Sequence, residues 1–393
     1  MEIEYEPKSV RELMTEMKDT SDLMIDLAYA SILFESDELA GRVLELESKM
    51  DELMYRIRVT AAAAARGVEQ AKKITGILQV ANAAEMISNA TGDMVDLVLK
   101  RAKIHRVVRE AIATADERLG KIGVLEGSEL VGKSLDELKL PSSIGIWILA
   151  IKKGESWIVP PTRDDKIEVG DVLFVRGPPD GVEMLCKMAR TTLEGCPFRA
   201  FKVIRTTLAE MRDLSGIMDD LAYSSVLLGS KEIADEVMEL DKEFGELNHK
   251  LWIDTLKAAR REKDLEALNS ILQVAKCMER IADAAELIVD IVLRGVELHP
   301  VFAKAIAEAD EGVAKVEVPQ DSPLAGERLG DLNLWSTTGV YVLMIKRNAR
   351  HIFDPSMNLR LQGGDVLIVR GPQLGIEKLR GMVGKTQNAE ASA

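Results

Sequence analysis

From Leu39 the apolar residues fall at Val43, Leu46, Met50, Leu53 and Ile57, alternately four and three positions apart. That alternation draws one apolar stripe along a helix, the pattern of long helices packed lengthwise on one another. It is written again at Ile233, Val237, Leu240, Phe244, Leu247 and Leu251. Met211, Leu214, Met218, Leu221 and Leu228 mark the preceding helix, and Ile271, Ala275, Met278, Ile281, Ala285, Ile288 and Val292 the following one. Three long amphipathic helices with short connections predict an antiparallel three-helix bundle. A shorter amphipathic segment, Val107 to Leu119, is expected to close it.

Beyond that point the apolar period drops towards two, and Gly and Pro punctuate the chain every eight to twelve residues. The spacing predicts a short helix at Leu135 to Leu140, strands at Gly145–Lys152, Ser156–Val159 and Val172–Arg176, and a helix after Gly181. The last strand stands in "VGDVLFVRGP", where Gly-Asp supplies turn chemistry and a short β-branched and aromatic run follows.

The same text recurs. "DLAYASIL" begins at Asp26 and "DLAYSSVL" at Asp220; "ILQVA" begins at Ile77 and Ile271; Asp171 of "VGDVLFVRGP" becomes Asp365 of "GGDVLIVRGP". Every pair is 194 positions apart, without a gap, so the chain is a duplication. The expected fold class is α+β multidomain. Its parts are a bundle at 1–119, a β-rich module at 120–194, a bundle at 195–313, a β-rich module at 314–388 and a flexible tail at 389–393. Each β-rich unit has roughly 70 residues, near the lower limit for a lone core, so the two are expected to pair.

Composition narrows the function. Net charge is −14, from 51 basic and 65 acidic residues, so no basic domain offers a nucleic-acid footprint. No run reaches the ~20 apolar residues that span a bilayer, and "MEIEYEPKSV" has no apolar core of a signal peptide. Cys186, Cys196 and Cys277 form no metal spacing, which suits a reducing, cytoplasmic setting.

"GSELVGKS", Gly127 to Ser134, fits the phosphate-loop string letter for letter. The helix after it has room for under two turns before Pro141, and the second copy, "DSPLAGER", lacks the first Gly and the Lys. The match is a coincidence of letters. His105 and His299 correspond but stand apart from other ligand types, which favours helix capping or the surface. No nucleophile elbow or HExxH is present, and enzymatic activity is not expected.

Glu47 and Asp51, and likewise Glu279 and Asp283, are four apart and flank the apolar seams. Two readings stand open: solvated acidic flanks, or ligands for a metal ion held between helices, with Glu85 and Asp241 as additions. Asp51 corresponds to Gly245 and Asp283 to Asn89, so each copy keeps only half of the pattern.

The β-rich units, through "ELVGKSLDELKL", "GIWILAIKKG" and "VGDVLFVRG", resemble the C-terminal domain of the TrkA/RCK potassium-transport regulators. The helical segments, best in "MERIADAAELIVDIVL", resemble the PhoU family, whose bundles use an E-x-x-x-D pattern for metal clusters. A PhoU-like bundle fused to a TrkA-C domain, the whole repeated, is an archaeal-type arrangement. The resemblance implies a cytosolic regulator of potassium or other cation transport. It would partner a transporter in the membrane, form a homodimer, and bind a nucleotide-type ligand such as cyclic di-AMP at paired TrkA-C domains. It places the ligand around Arg347, His351, Ile352 and Pro355 in copy two and Lys153, Trp157, Ile158 and Pro160 or Pro161 in copy one. These residues can equally be edge-strand residues at a structural interface. The Rossmann half with G-x-G-x-x-G is absent, so nicotinamide binding is not implied. The alternative is a phosphate-signalling or metal-binding scaffold whose TrkA-C domains only dimerise.

Overall fold

The computed structural model describes residues 8–65, 67–114, 118–191, 201–260, 262–296, 309–348, 350–353 and 355–384. His299, Cys196 and the expected tail at 389–393 lie outside the described residues. The first bundle is α1 (Val10–Phe34), α2 (Asp37–Ala64) and α3 (Val68–Leu99), followed by the short α4 (Arg106–Thr114). Local chemistry sets the starts. Ser9 and Glu12 form a capping box on α1, and Ser36 Oγ accepts from Leu39 N–H at the head of α2.

The first β-rich module follows as β1 (Arg118–Gly123), α5 (Leu135–Leu138), α6 (Leu140–Ile144), β2 (Trp147–Lys153), β3 (Ser156–Ile158), β4 (Val172–Gly177) and α7 (Pro179–Ala189). The second bundle is α8 (Lys202–Leu228), α9 (Lys231–Ala258) and α10 (Leu265–Leu293). The second module is β5 (Gly312–Glu317), α11 (Leu329–Leu332), α12 (Leu334–Thr338), β6 (Tyr341–Arg347), β7 (Arg350–Phe353), β8 (Val366–Gly371) and α13 (Gln373–Met382). Both sheets are antiparallel, ordered β1-β4-β2-β3 and β5-β8-β6-β7. Each carries a bulge at the same place, between Ile148 and Ala150 and between Val342 and Met344.

Packing joins what the repeat separates. α10 lies against α3, and a single apolar core runs through both bundles, with the heptad residues Val43, Met50, Ile57, Val237, Phe244 and Leu251 inside it. One face of each sheet enters the same core through Leu149 and Phe174, and through Leu343 and Ile368. The opposite faces build two smaller cores, with Leu173 and Val175 facing Val182 and Leu185 of α7, and Leu367 and Val369 facing Ile376 and Leu379 of α13. Each sheet is therefore buried on both faces, which is why "VLFV" and "VLIV" read as unbroken apolar runs.

Two expectations are corrected. The helix expected to Leu119 ends at Thr114, and residues from Arg118 form strand β1 along β4. Gly120 and Gly123 weaken the strand signal there; a Cβ on Gly120 would meet Val175 Cγ2 at 3.0 Å. The helix expected over Leu135 to Leu140 stops at Leu138, because Lys139 turns left-handed at φ 47° and α6 restarts with Pro141 in its first turn. Gly127 to Ser134 runs through turns into the four-residue α5, too short to present a phosphate cradle.

Candidate functional site: the junction of the two modules and the bundles

The two β-rich modules pair with each other within the chain. Helix α6 of the first packs on α12 of the second. Each ends on a left-handed glycine, Gly145 at φ 69° and Gly339 at φ 73°. Neither position has room for a side chain. A Cβ on Gly145 would stand 2.5 Å from the Trp335 carbonyl oxygen, and one on Gly339 would overlap the Pro141 carbonyl oxygen. Each glycine thus admits the backbone of the opposite module. Polar contacts fix the register: Ser336 Oγ and Asn333 Nδ2 donate to the Asp180 carboxylate at 2.6 and 2.9 Å, and Lys378 Nζ donates to Ser142 O at 2.6 Å. Burial opposes the Asp180 charge, but the Ser336 and Asn333 donors outweigh it and hold its pKa below the usual carboxylate value.

A cavity of about 380 Å³ opens beside this contact, walled by Arg118, Asp180, Trp335, Tyr341, Pro355 and Met357. Trp335 and Tyr341 meet edge to face, centroids 5.3 Å apart. A second cavity of about 500 Å³ separates α1 from the first sheet. Trp147, Pro160 and Pro161 form its sheet side, and Glu16, Asp19 and Asp26 its helix side.

Between modules and bundles lies a buried ionic clasp. Arg176 of β4 pairs with Asp26 of α1 at 3.0 Å, and Arg370 of β8 pairs with Asp220 of α8 at 2.7 Å. Glu311 joins them, 2.7 Å from Arg176 and 3.4 Å from Arg370. Nearby, Lys18 of α1 stands over the Tyr223 ring of α8 at 4.7 Å, while Arg212, its counterpart in copy two, stands over Tyr29 of α1 at 5.1 Å. The two copies hold each other by exchange of equivalent cation–ring pairs.

The clasp went unread in sequence, though both of its halves were visible. Asp26 and Asp220 open the repeated "DLAY" motif, and Arg176 and Arg370 stand second in the repeated "VRGP" motif. A charge kept at one place inside an apolar repeat, in both copies, was the available signal.

The sequence-derived ligand residues divide. Arg347 binds Asp365 through Nε and Nη2 at 2.8 and 2.7 Å and donates to Arg360 O. Lys153 likewise binds Asp171 at 2.9 Å and Lys166 O at 2.8 Å. In both copies the cation pins the Gly-Asp turn before the last strand. Trp157 stacks on Phe174, and Ile158 and Ile352 pair across β2 and β6 with Ile151 and Ile345. His351 pairs with Lys346 in the backbone ladder. Pro355 and Pro160 line the two cavities.

The carboxylates form two groups, one per bundle. Glu47 on α2 is raised in pKa by burial first and then by Asp51, Asp93 and Asp96, with Arg280 of α10 opposing. Asp283 on α10 is raised by burial, then by Glu279, Asp241 and Glu286. Oxygens of Asp241, Asp283 and Glu286 lie within 4.8 Å of one another, so Glu286 is the neighbour the spacing argument missed. Glu85 pairs instead with Arg58 at 3.3 Å. His105 is buried and its Nδ1 accepts from Val107 N–H, capping α4.

The PhoU domain model matches residues 14–98 and 208–292, and the TrkA-C domain model residues 122–190 and 313–384. The chain belongs to the proteins built of PhoU and TrkA-C domains, each present twice in tandem. It is 39% identical over 80 residues to the Ktr system potassium uptake protein A of Vibrio alginolyticus, across 20% of this chain and 33% of that protein. The chain thus spans about a third of the length of this curated relative. Among solved structures it is similar to PhoU from Pseudomonas aeruginosa, at 12% identity over 73% of this chain and 96% of that one, with a TM-score of 0.41. The GsuK RCK domain matches at 12% identity over 68% of this chain and 63% of that one, with a TM-score of 0.18. No helix among the described residues is long and apolar enough to cross a membrane.

Proposed function

We propose that this chain is a regulator of potassium or other cation transport that senses a small nucleotide-type ligand between its two TrkA-C modules and acts on a transporter in the membrane. The observation that carries the reading is the cavity of about 380 Å³ at the junction of those modules. Its size is that of a small-molecule site, and its walls mix aromatic and charged groups. Trp335 and Tyr341 offer ring faces to a base, and Arg118 a guanidinium to a phosphate. The choice of ion is supported by the matched relative, itself a potassium uptake protein.

A ligand in this cavity touches both modules and therefore has a differential affinity for their open and closed arrangements, which is what a switch requires. Movement of either module shifts Arg176 or Arg370, and through Asp26 and Asp220 it reaches the bundles. Because the modules pair within one chain, sensing does not depend on a homodimer. Calorimetric titration of the full chain with cyclic di-AMP and adenine nucleotides tests the reading. Binding that Trp335→Ala weakens at least tenfold supports it, and flat titrations for all of them end the ligand-sensor version.

A second reading rests on Asp241, Asp283 and Glu286, close enough to share one divalent ion. On that reading the bundles carry the function and the modules only associate. Metal analysis of protein purified without chelators separates the two: a substoichiometric content removes the scaffold reading.

A further inference from the structure

Asp219 is 5% exposed, and its Oδ1 has no hydrogen-bond partner among the described residues. It lines a cavity of about 110 Å³ where α1, α8 and the two sheets converge, which shares Trp335 and Tyr341 with the inter-module cavity. The charges around it do not balance. Arg176 and Arg370 face three carboxylates, Asp26, Asp220 and Glu311. On the bundle side Lys18, paired with Asp22 at 2.5 Å and attracted also by Asp219, and Arg212 stand with three carboxylates, Asp22, Asp213 and Asp219. Each side thus holds one carboxylate more than it holds cations. A buried negative charge without a partner is neutralised by a proton or matched by a cation.

We propose that this cavity binds one monovalent alkali cation, with the free oxygen of Asp219 as its main protein ligand, tying the two bundles to the paired modules. The carboxylate donors are hard oxygens, which suit alkali and alkaline-earth ions. Arg176, Arg212 and Arg370 line the same cavity and repel a second positive charge on the ion. The cavity of about 110 Å³ has room for an ion with some of its waters, and a site built round one carboxylate suits an alkali ion better than magnesium, which demands near-ideal octahedral geometry.

The duplication sharpens the assignment. Asp219 stands where copy one has Ile25, and Asp22 where copy two has Gly216. The equivalent positions therefore bring no acid of their own, and they line the same cavity, with Arg212 over Tyr29 on that side. Asp219 and Asp22 thus break the symmetry of the repeat at this one cavity. The proposal does not rest on the nucleotide reading, and flat nucleotide titrations leave it standing.

The test is thermal unfolding of the full chain at constant ionic strength, with potassium chloride replacing choline chloride. The expected result is a saturable rise in midpoint of about 2 °C or more, larger in potassium than in magnesium. Asp219→Asn abolishes the rise and Asp22→Asn weakens it. Asp219→Ile serves as the second variant, since copy one carries Ile at that place and the helix accepts it. Thallium-soaked crystals are expected to show an anomalous peak beside Asp219. Equal midpoints in potassium and choline, a response that survives Asp219→Asn, a response to magnesium alone, or a peak elsewhere each overturn the proposal.

Discussion

Arg176 and Arg370 occupy the same place in the two copies and share one carboxylate, that of Glu311, at 2.7 and 3.4 Å. Neither guanidinium reaches its own bundle alone: Arg176 also takes Asp26, and Arg370 takes Asp220. The duplication has thereby become one unit, because a residue just before β5 of the second module completes an ion pair in the first.

Glu311→Gln keeps the shape and removes the shared charge. Two guanidiniums with side-chain exposures of 9% and 14% then keep Asp26 and Asp220 but lose the carboxylate between them. Removing one partner of a buried pair is costly, and the expected loss is about 3 kcal/mol in urea unfolding. A loss below about 1 kcal/mol contradicts a clasp of the kind described.

The glycines at the module interface make a sharper contrast. Gly154 and Gly339 both have positive φ, 58° and 73°, but nothing lies within 4 Å of a Cβ on Gly154. Gly154→Ala should therefore cost only backbone strain, about 1 kcal/mol. Gly339→Ala adds an overlap with the Pro141 carbonyl of the other module and is expected to part the modules. Small-angle scattering reads this directly: the alanine at 339 expands the particle and the one at 154 does not. Equal profiles for the two remove the claim that Gly339 admits the partner backbone.

Much of the chain was legible in one dimension, and the limits are physical. Val43 to Ile57 and Ile271 to Val292 declare their helices because burial on one stripe forces period 3.6, and Val172 to Val175 declares a strand because both faces are covered. Strand β1 was hidden because Gly120 trades side chain for a close approach to Val175. The pairing of α6 with α12 rests on carbonyl-to-glycine packing, which leaves no hydrophobic pattern. The sites fared worse. Arg347 and Lys153 advertise phosphate chemistry by type, yet each answers an aspartate 18 positions on. Trp335 and Tyr341 line the cavity but belong to no motif that marks them. Asp219 was indistinguishable from its neighbour Asp220 until the fold showed which one lacked a partner.

The pinned turn predicts an asymmetry between two substitutions. Asp365 is fully buried, accepts from Gln362 N–H at 2.8 Å and takes both Arg347 bonds. Asp365→Ala leaves the Gln362 amide unanswered and the half-buried guanidinium without its counter-charge, holding only the Arg360 carbonyl, with an expected loss of about 2–3 kcal/mol. Arg347→Lys reproduces the Lys153–Asp171 pair of copy one, so its expected loss is below about 1 kcal/mol. Chemical denaturation of the two variants checks the order, and a Lys variant as damaged as the Ala variant contradicts it.

The carboxylates at the junction fix how stability responds to pH. Burial pushes Asp219 up to about 8, with Asp22 adding and Lys18 and Arg370 opposing, and pushes Asp19 up to about 7. In the unfolded chain both ionise near ~4. From about pH 4 to 8 the folded state thus holds more protons than the unfolded one, and stability falls as pH rises through that window. It is fully present below ~4 and lost above ~8. His105, held low by burial, has the opposite sign but acts only below its ordinary value of 6.5. In choline chloride, where no alkali ion competes, the thermal midpoint is therefore expected to drop between about pH 6.5 and 8.5. Asp219→Asn should flatten the upper part of that slope and Asp19→Asn the lower. Potassium, by matching the Asp219 charge, should shrink the drop in the native chain and leave the profile of the Asp219→Asn variant unmoved. A midpoint that rises over the same interval would mean that Asp219 is ionised throughout, and that the surrounding cations outweigh its burial.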